Sequence, residues 1–403
     1  MRVRKGDCAA ASVSGLPARL RERVPYTAHP DFLAGSSGPT HEEEEQHQHH
    51  GHAVPLNKTP MKAEQIALRL AQSLLRITGA LAAVFGLLLA VILAATTMPG
   101  SSHRGALPVA SADQRALAQQ LRQHVGVIAA QEHNVFHPTA LDAAANYLES
   151  ELASYGYPVR RQEFDARGVK VRNLEVTIPS QSAPGQRVIV VGAHYDSARE
   201  TPGANDNATG AAAVLALAKS LRHLGAKAQS DVMLVLYTNE EPPYFKTPLM
   251  GSHVHAKALK AQGVPVTAML SLETMGYFSD TPGSQKYPWP LNQFYPTQGN
   301  FIAFVATPGD LGLVRKVVRS FRSHAVFPSE GIAAPRRIPG VDYSDHAAYL
   351  DEGYSALMVT DTAPYRYPHY HTRQDTPDKV DFDRLARVVQ GLEGVIRDLA
   401  SPQ

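Results

Sequence analysis

Cysteine is nearly missing from this 403-residue chain, where Cys8 stands alone. No intrachain disulfide can form, and a zinc site built from thiolates is excluded. Any bound metal must be held by His, Asp and Glu. An excess of one charge is lacking too: 39 basic residues face 37 acidic ones, for a formal net charge of +2. That balance offers no field for a polyanion, so nucleic acid is not an expected partner. Several chemistry-bearing motifs are absent: His-Glu-x-x-His, the P-loop, Gly-x-Gly-x-x-Gly and the Gly-x-Ser-x-Gly elbow. Ser344-Asp345-His346 has the residue types of a hydrolase triad, but such a relay is assembled from distant positions, not from neighbours.

The chain begins irregularly. Residues 1–60, which include HEEEEQHQHHGH at 41–52, read as a disordered, solvated tail. Met61 opens a more protein-like stretch, and a start there is the alternative to Met1. Residues 61–76 read as a cytoplasmic juxtamembrane segment. Residues 77–98 then run ITGALAAVFGLLLAVILAATTM without a charge. As a helix this segment spans roughly 33 Å, enough for a hydrocarbon core of about 30 Å. Arg69 and Arg76 precede it and favour a cytoplasmic N-terminus. The expectation is one transmembrane helix or signal anchor that holds the chain in the membrane, with everything after Ser101 outside the cytoplasm, periplasmic or extracellular. Cleavage near the small residues Ala94 and Ala95 would instead make it secreted. Residues 99–112 read as a linker and 113–403 as the folded domain.

Within that domain, helical periodicity covers Asp113 to about His133 and Pro138–Tyr155. Apolar strands and helices then alternate. Val188–Gly192, Val232–Tyr237, Ala268–Leu272, Phe301–Ala306 and Ala356–Thr360 read as strands. Gly210–Leu224, Gly251–Gln262, Leu313–His324 and Phe382–Leu399 read as helices. The alternation predicts an α/β domain with a mainly parallel sheet covered on both faces. Ser279–Gly299, which holds the single Trp289, and Ser329–Gly340 break the rhythm and read as irregular stretches.

In such a sheet, ligands collect beyond the carboxyl ends of the strands. One strand ends in His194 and Asp196, the next in Glu240 and Glu241, and a third in Glu273. Asp206 follows in the loop GANDNATG, and His369 and His371 come after the last strand. A cluster of four or five carboxylates cannot stay ionised together unless cations neutralise it. A divalent metal is the natural answer.

AHYDS, GANDNATGAA, NEEPPYF, LET-Met-Gly-Tyr, SDHAAY and YHTRQDTPD occur in that order. Together they resemble the M28 zinc peptidases, a family of co-catalytic di-zinc enzymes, over about Asp113–Leu399. The resemblance implies a phosphorylase/hydrolase-like three-layer αβα domain with a mainly parallel mixed central sheet. It implies two Zn2+ per chain, with Asp206 bridging, His194 and Glu273 completing one metal, and Glu241 and His371 the other. Many members carry aspartate where this chain has Glu273. The resemblance also implies Glu240 as general base, Asp196 as the partner of the far ring nitrogen of His194, and a cis peptide at Asp206–Asn207. His369 matches no role. Tyr244, Phe245, Trp289 and Tyr343 are candidate pocket residues because they lie close to the motifs.

The expected activity is that of a metallo-exopeptidase, foremost an aminopeptidase acting on peptide substrates. The alternatives are a glutaminyl cyclase-like, carboxypeptidase or dipeptidase activity, or a non-catalytic ectodomain.

Overall fold

The computed structural model describes residues 62–181, 183–224 and 228–401. The tail expected at 1–60 lies outside them. The chain divides into two units, Met1–Arg69 and Leu70–Gln403; only the start of one helix is described in the first. That helix, α1 (Ala63–Thr96), has no buried residue and is long and apolar enough to cross a membrane. It starts well before residue 77, so most of the expected juxtamembrane segment is helical. Met98, read from sequence as the end of the span, lies beyond the helix and is buried.

Helices α2 (Ala112–Ile128) and α3 (Pro138–Ser154) follow. Ser111 starts α2 with a capping box: its hydroxyl accepts from the Gln114 N–H, and the Gln114 side chain accepts from the Ser111 N–H. The strands are β1 (Arg160–Ala166), β2 (Val169–Ile178), β3 (Val188–His194), β4 (Asp231–Tyr237), β5 (Val266–Glu273), β6 (Ile302–Ala306), β7 (Ser329–Ala333) and β8 (Ala356–Thr360). They form one sheet in the order β1-β2-β4-β3-β5-β8-β6-β7. The four central strands β4, β3, β5 and β8 run parallel. A β1–β2 hairpin adds antiparallel to β4 on one side. On the other side β6 pairs antiparallel to β8 and carries β7 parallel to itself.

The core follows the two-residue alternation of the strands. Ile189, Val191 and Ala193 of β3 join a large core with α2, α3, α4 (Thr209–Ser220), α6 (Leu311–His324) and α9 (Phe382–Ala400). Val188 and Val190 face the opposite way, onto α5 (Gly251–Ala261) and α7 (His346–Asp351). β3 and β4 are buried along their whole length because both faces are covered. Helix α4 is buried from Thr209 to Ala218, which its run of alanines permits. The domain is therefore a three-layer α/β fold with a mostly parallel mixed sheet.

Three elements were not legible in the sequence. β1 and β2 are rich in charge because they form a partly exposed edge hairpin, turned at Arg167-Gly168 with φ of 57° and 95°. Ser329–Gly340 is not wholly irregular: its first five residues are β7, too short and too polar to show a pattern.

Candidate metal centre

The acidic and imidazole groups converge because the parallel strands end at one edge of the sheet. β3 delivers His194, the segment after β4 delivers Glu240 and Glu241, and β5 delivers Glu273. Asp206 comes from the loop before α4, and His371 from the turn after the short helix α8 (Ala363–Arg366). His194 Nε2 lies 3.5 Å from Asp206 Oδ1, 3.3 Å from Glu273 Oε2 and 3.8 Å from Glu240 Oε2. His371 Nε2 lies 3.0 Å from Asp206 Oδ2 and 3.3 Å from Glu241 Oε1. Asp206 thus stands between two groups of potential ligands.

The loop that carries Asp206 is fastened at its neighbours. The Asn207 side-chain amide donates to Leu272 O (2.8 Å), and its Oδ1 accepts from the backbone N–H groups of Gly210 and Thr274 (both 3.1 Å). The Asn205 amide donates to Asp361 Oδ2 (2.9 Å), and its carbonyl accepts from Gly276 N–H (2.8 Å). Asp375 accepts the backbone N–H groups of Asn205 and Asp206 at 2.8 and 3.1 Å. With both flanking asparagines committed to β5 and β8, only the Asp206 side chain faces the centre. The Asp206–Asn207 peptide is cis, as the resemblance implies.

Asp196 differs from expectation in detail. His194 Nδ1 lies 3.0 Å from the Asp196 backbone carbonyl, whereas the carboxylate is 3.6 Å away. The carboxylate instead accepts the backbone N–H groups of Glu240 (3.0 Å) and Glu241 (3.2 Å). One residue therefore holds the histidine through its main chain and aligns both glutamates through its side chain. On Glu273, Ser344 Oγ donates to Oε2 at 2.7 Å. In the sequence Asn207 is marked only as one side of the cis peptide and Ser344 only as an excluded triad member, while Asn205 and Asp375 stand unremarked inside motifs, because only tertiary structure shows whom they touch.

The electrostatics show a site short of positive charge. Burial raises the Glu240 carboxyl well above its usual range, and Glu273 and Glu241 add to that against the pull of His194. Burial and the nearby Asp206 push Glu241 up to about 7. Burial likewise lifts Asp345, fully enclosed behind the site, to about 7. Asp206 moves the other way: burial opposes, but His194 and His371 hold it low. Burial would lower His371, yet Asp206 and Glu241 raise it to about 11.

Whether these residues fit a metal is answered by their unused atoms. His194 Nε2, Asp206 Oδ2 and Glu241 Oε1 are buried without a hydrogen-bond partner. Buried polar atoms in that condition are rare and costly. Among the described residues, His194, Asp206 and Glu273 each offer one donor atom within 4.8 Å of one another, as do Asp206, Glu241 and His371. His194 with Glu240 and Glu241 forms a third, overlapping group. Imidazole and carboxylate donors suit zinc.

An apolar cavity of about 100 Å³ opens beside Glu273, Thr274 and Tyr370. Its walls include Tyr287, Tyr295, Phe301, Val305, Ile338, Tyr343 and Met358. Of the expected pocket residues, only Tyr343 lines it. Phe245 stands edge-on to Tyr343 at 6.1 Å. Tyr244 is buried elsewhere, its hydroxyl donating to Ala166 O (2.9 Å), and Trp289 is 84% exposed. Tyr370, which sequence reasoning passed over, stacks on His371 at 3.9 Å between ring centroids. His369 stands edge-on to Tyr367, with no place in the cluster.

With this geometry in hand, comparison with known proteins identifies the class. Residues 173–395, more than half of the chain, match the model of peptidase family M28, and the chain belongs to that family. The uncharacterised protein YfbL of Escherichia coli K12 is 38% identical over 261 residues, covering 62% of this chain and 78% of YfbL. A probable leucine aminopeptidase 1 of Trichophyton verrucosum is 23% identical over 64% of this chain and 67% of its own length. The crystal structure of the LapA aminopeptidase of Legionella pneumophila shares the fold, with a TM-score of 0.55 and 17% identity, over 74% of this chain and 78% of LapA.

Proposed function

We propose that this protein is a zinc-dependent exopeptidase, foremost an aminopeptidase, anchored in a membrane by α1 with its catalytic domain outside the cytoplasm. The carrying observation is that Asp206 belongs to two ligand groups at once, each holding a buried donor atom without a partner. We assign two Zn2+ to them: one to His194, Asp206 and Glu273, the other to Asp206, Glu241 and His371. Bound there, the pair would act as a Lewis acid on the scissile carbonyl and ease deprotonation of the attacking water.

The protein's own groups do the rest. Glu240, raised by burial, is a carboxylate whose proton affinity suits taking a proton from water and returning it to the leaving amine. Asp196 sets its direction through the Glu240 N–H. The Tyr370 hydroxyl, beside the same carboxylates, is a donor for the developing oxyanion. The apolar cavity next to Glu273 would take the side chain of the substrate's N-terminal residue and exclude water from it.

Glu240→Gln tests the assignment. It should lower kcat on aminoacyl-anilides by about 10²–10⁴-fold while leaving zinc content unchanged. Unchanged turnover refutes the base. Metal analysis of the wild type separates the readings: close to two zinc ions per chain supports the peptidase, and one favours a glutaminyl cyclase-like site.

A further inference from the structure

The segment between α1 and α2, expected to be a simple linker, is built into the body of the domain. Arg322 of α6 reaches across it. Its Nη1 donates to the carbonyls of Pro99 and Gly100 at 2.9 Å each and faces that of Met98 at 3.4 Å. The same guanidinium donates to Ser329 Oγ (3.1 Å) and Ser329 O (2.7 Å) on β7. Ser329 N–H in turn donates to Ser102 Oγ at 2.9 Å. Met98 packs so closely on Gly331 that a Cβ there would lie 2.8 Å from its Cγ. An edge strand left bare invites pairing with other chains, and here Ser102 takes the Ser329 N–H, Arg322 the Ser329 carbonyl and Tyr295 the Gly331 carbonyl.

β7 is also a wall of the cavity. Glu330, Gly331 and Ile332 line it, and Tyr295, another wall residue, donates to Gly331 O at 2.8 Å. Glu330 lines a second hollow as well, formed with Met98, Ser102, Arg104 and Arg322. One carboxylate thus lies between the covering segment and the cavity's far end. Burial raises it, while Arg322, Ser102 and Arg104 counter that rise.

We propose that residues 98–104 are the fixed outer cover of β7 and that, through Glu330, this cover sets the polarity of the cavity's far end. Seated, it compensates the Glu330 carboxylate from behind and keeps the cavity suited to apolar side chains. Loosened, it withdraws Ser102 and Arg104, and the less compensated carboxylate favours a cationic side chain. The cover rests on contacts alone; its effect on substrate choice rests on the aminopeptidase reading.

The test uses the full chain in detergent micelles, as wild type, Arg322→Ala and the milder Ser102→Ala. Hydrogen exchange at Ser329, whose N–H donates to Ser102 Oγ, should be slow in the wild type and at least about tenfold faster in the variants. The ratio of kcat/KM for lysyl over leucyl anilide should rise about fivefold or more in the variants, with zinc content unchanged. Rapid wild-type exchange at Ser329 would overturn the cover. Faster exchange in both variants with an unchanged substrate ratio would overturn the link to Glu330. If no anilide is cleaved by the wild type, the aminopeptidase reading fails, while the exchange measurement still decides the cover.

Discussion

Asp206 is the residue on which both halves of the centre depend. Its Oδ1 faces His194 and its Oδ2 faces His371, so each ligand group loses a member when its charge goes. Asp206→Asn should therefore lower bound zinc more than His371→Ala, which disturbs one group; metal analysis after gel filtration measures the difference. Equal losses would argue against a shared carboxylate. A second prediction concerns the cavity, where Ala303 of β6 is a small wall residue. Ala303→Leu should raise KM for leucyl anilide at least about 10-fold and that for alanyl anilide less, since even one methylene in an apolar pocket is worth about 1–3 kcal/mol and this change adds more than one. At this scale the sequence exposed the groups that end buried strands, because carboxylates there need a partner. Ser344, Tyr370 and the main-chain role of Asp196 were hidden, because a hydrogen-bond partner is a fact of space.

The loop from Gly203 to Gly210 turns a row of strand ends into a centre. Gly203 sits at φ 70°, and a Cβ there would lie 2.6 Å from Asp206 O and 2.8 Å from Ser197 Cβ. Gly203→Ala should therefore cost on the order of 2–4 kcal/mol, because backbone cannot retreat as a flexible side chain can. Denaturant unfolding would show it, and a change below about 0.5 kcal/mol would contradict the crowding. The elements legible in sequence were those buried on both faces, such as β3 and β4, whose unbroken apolar runs leave little choice. β1 and β7 are the edge strands and β2 lies next to β1, and there partial exposure admits charge and erases the pattern.

For the whole molecule, the buried acids govern how stability responds to pH when metal is absent. Glu241, Asp345 and Asp361 are each raised by burial to about 7. An acid with a raised folded value stabilises below its unfolded value, and that contribution is lost as pH rises through 7. His371, raised to about 11, acts with the same sign, its charged form losing ground above about 6.5. His346, lowered by burial to about 4, destabilises only as pH falls below about 6.5. Between pH 6.5 and 8 the signs agree: the zinc-free protein should melt lower at pH 8, and added zinc should raise the melting temperature more there. Scanning fluorimetry with chelator or zinc at both values checks this; a zinc shift independent of pH would contradict it.

The sequence by itself determined the alternation of elements, the apolar helix near the N-terminus and the chemistry available to a metal. Those follow from local periodicity and from which side chains exist. Only the tertiary structure decided that the strands lie in the order that gathers His194, Glu240, Glu241 and Glu273 at one rim, and that Asn205 and Asn207 turn Asp206 into it. Only it placed residues 98–104 on β7. Strand order and such contacts are settled by the packing of distant segments, which no local pattern encodes.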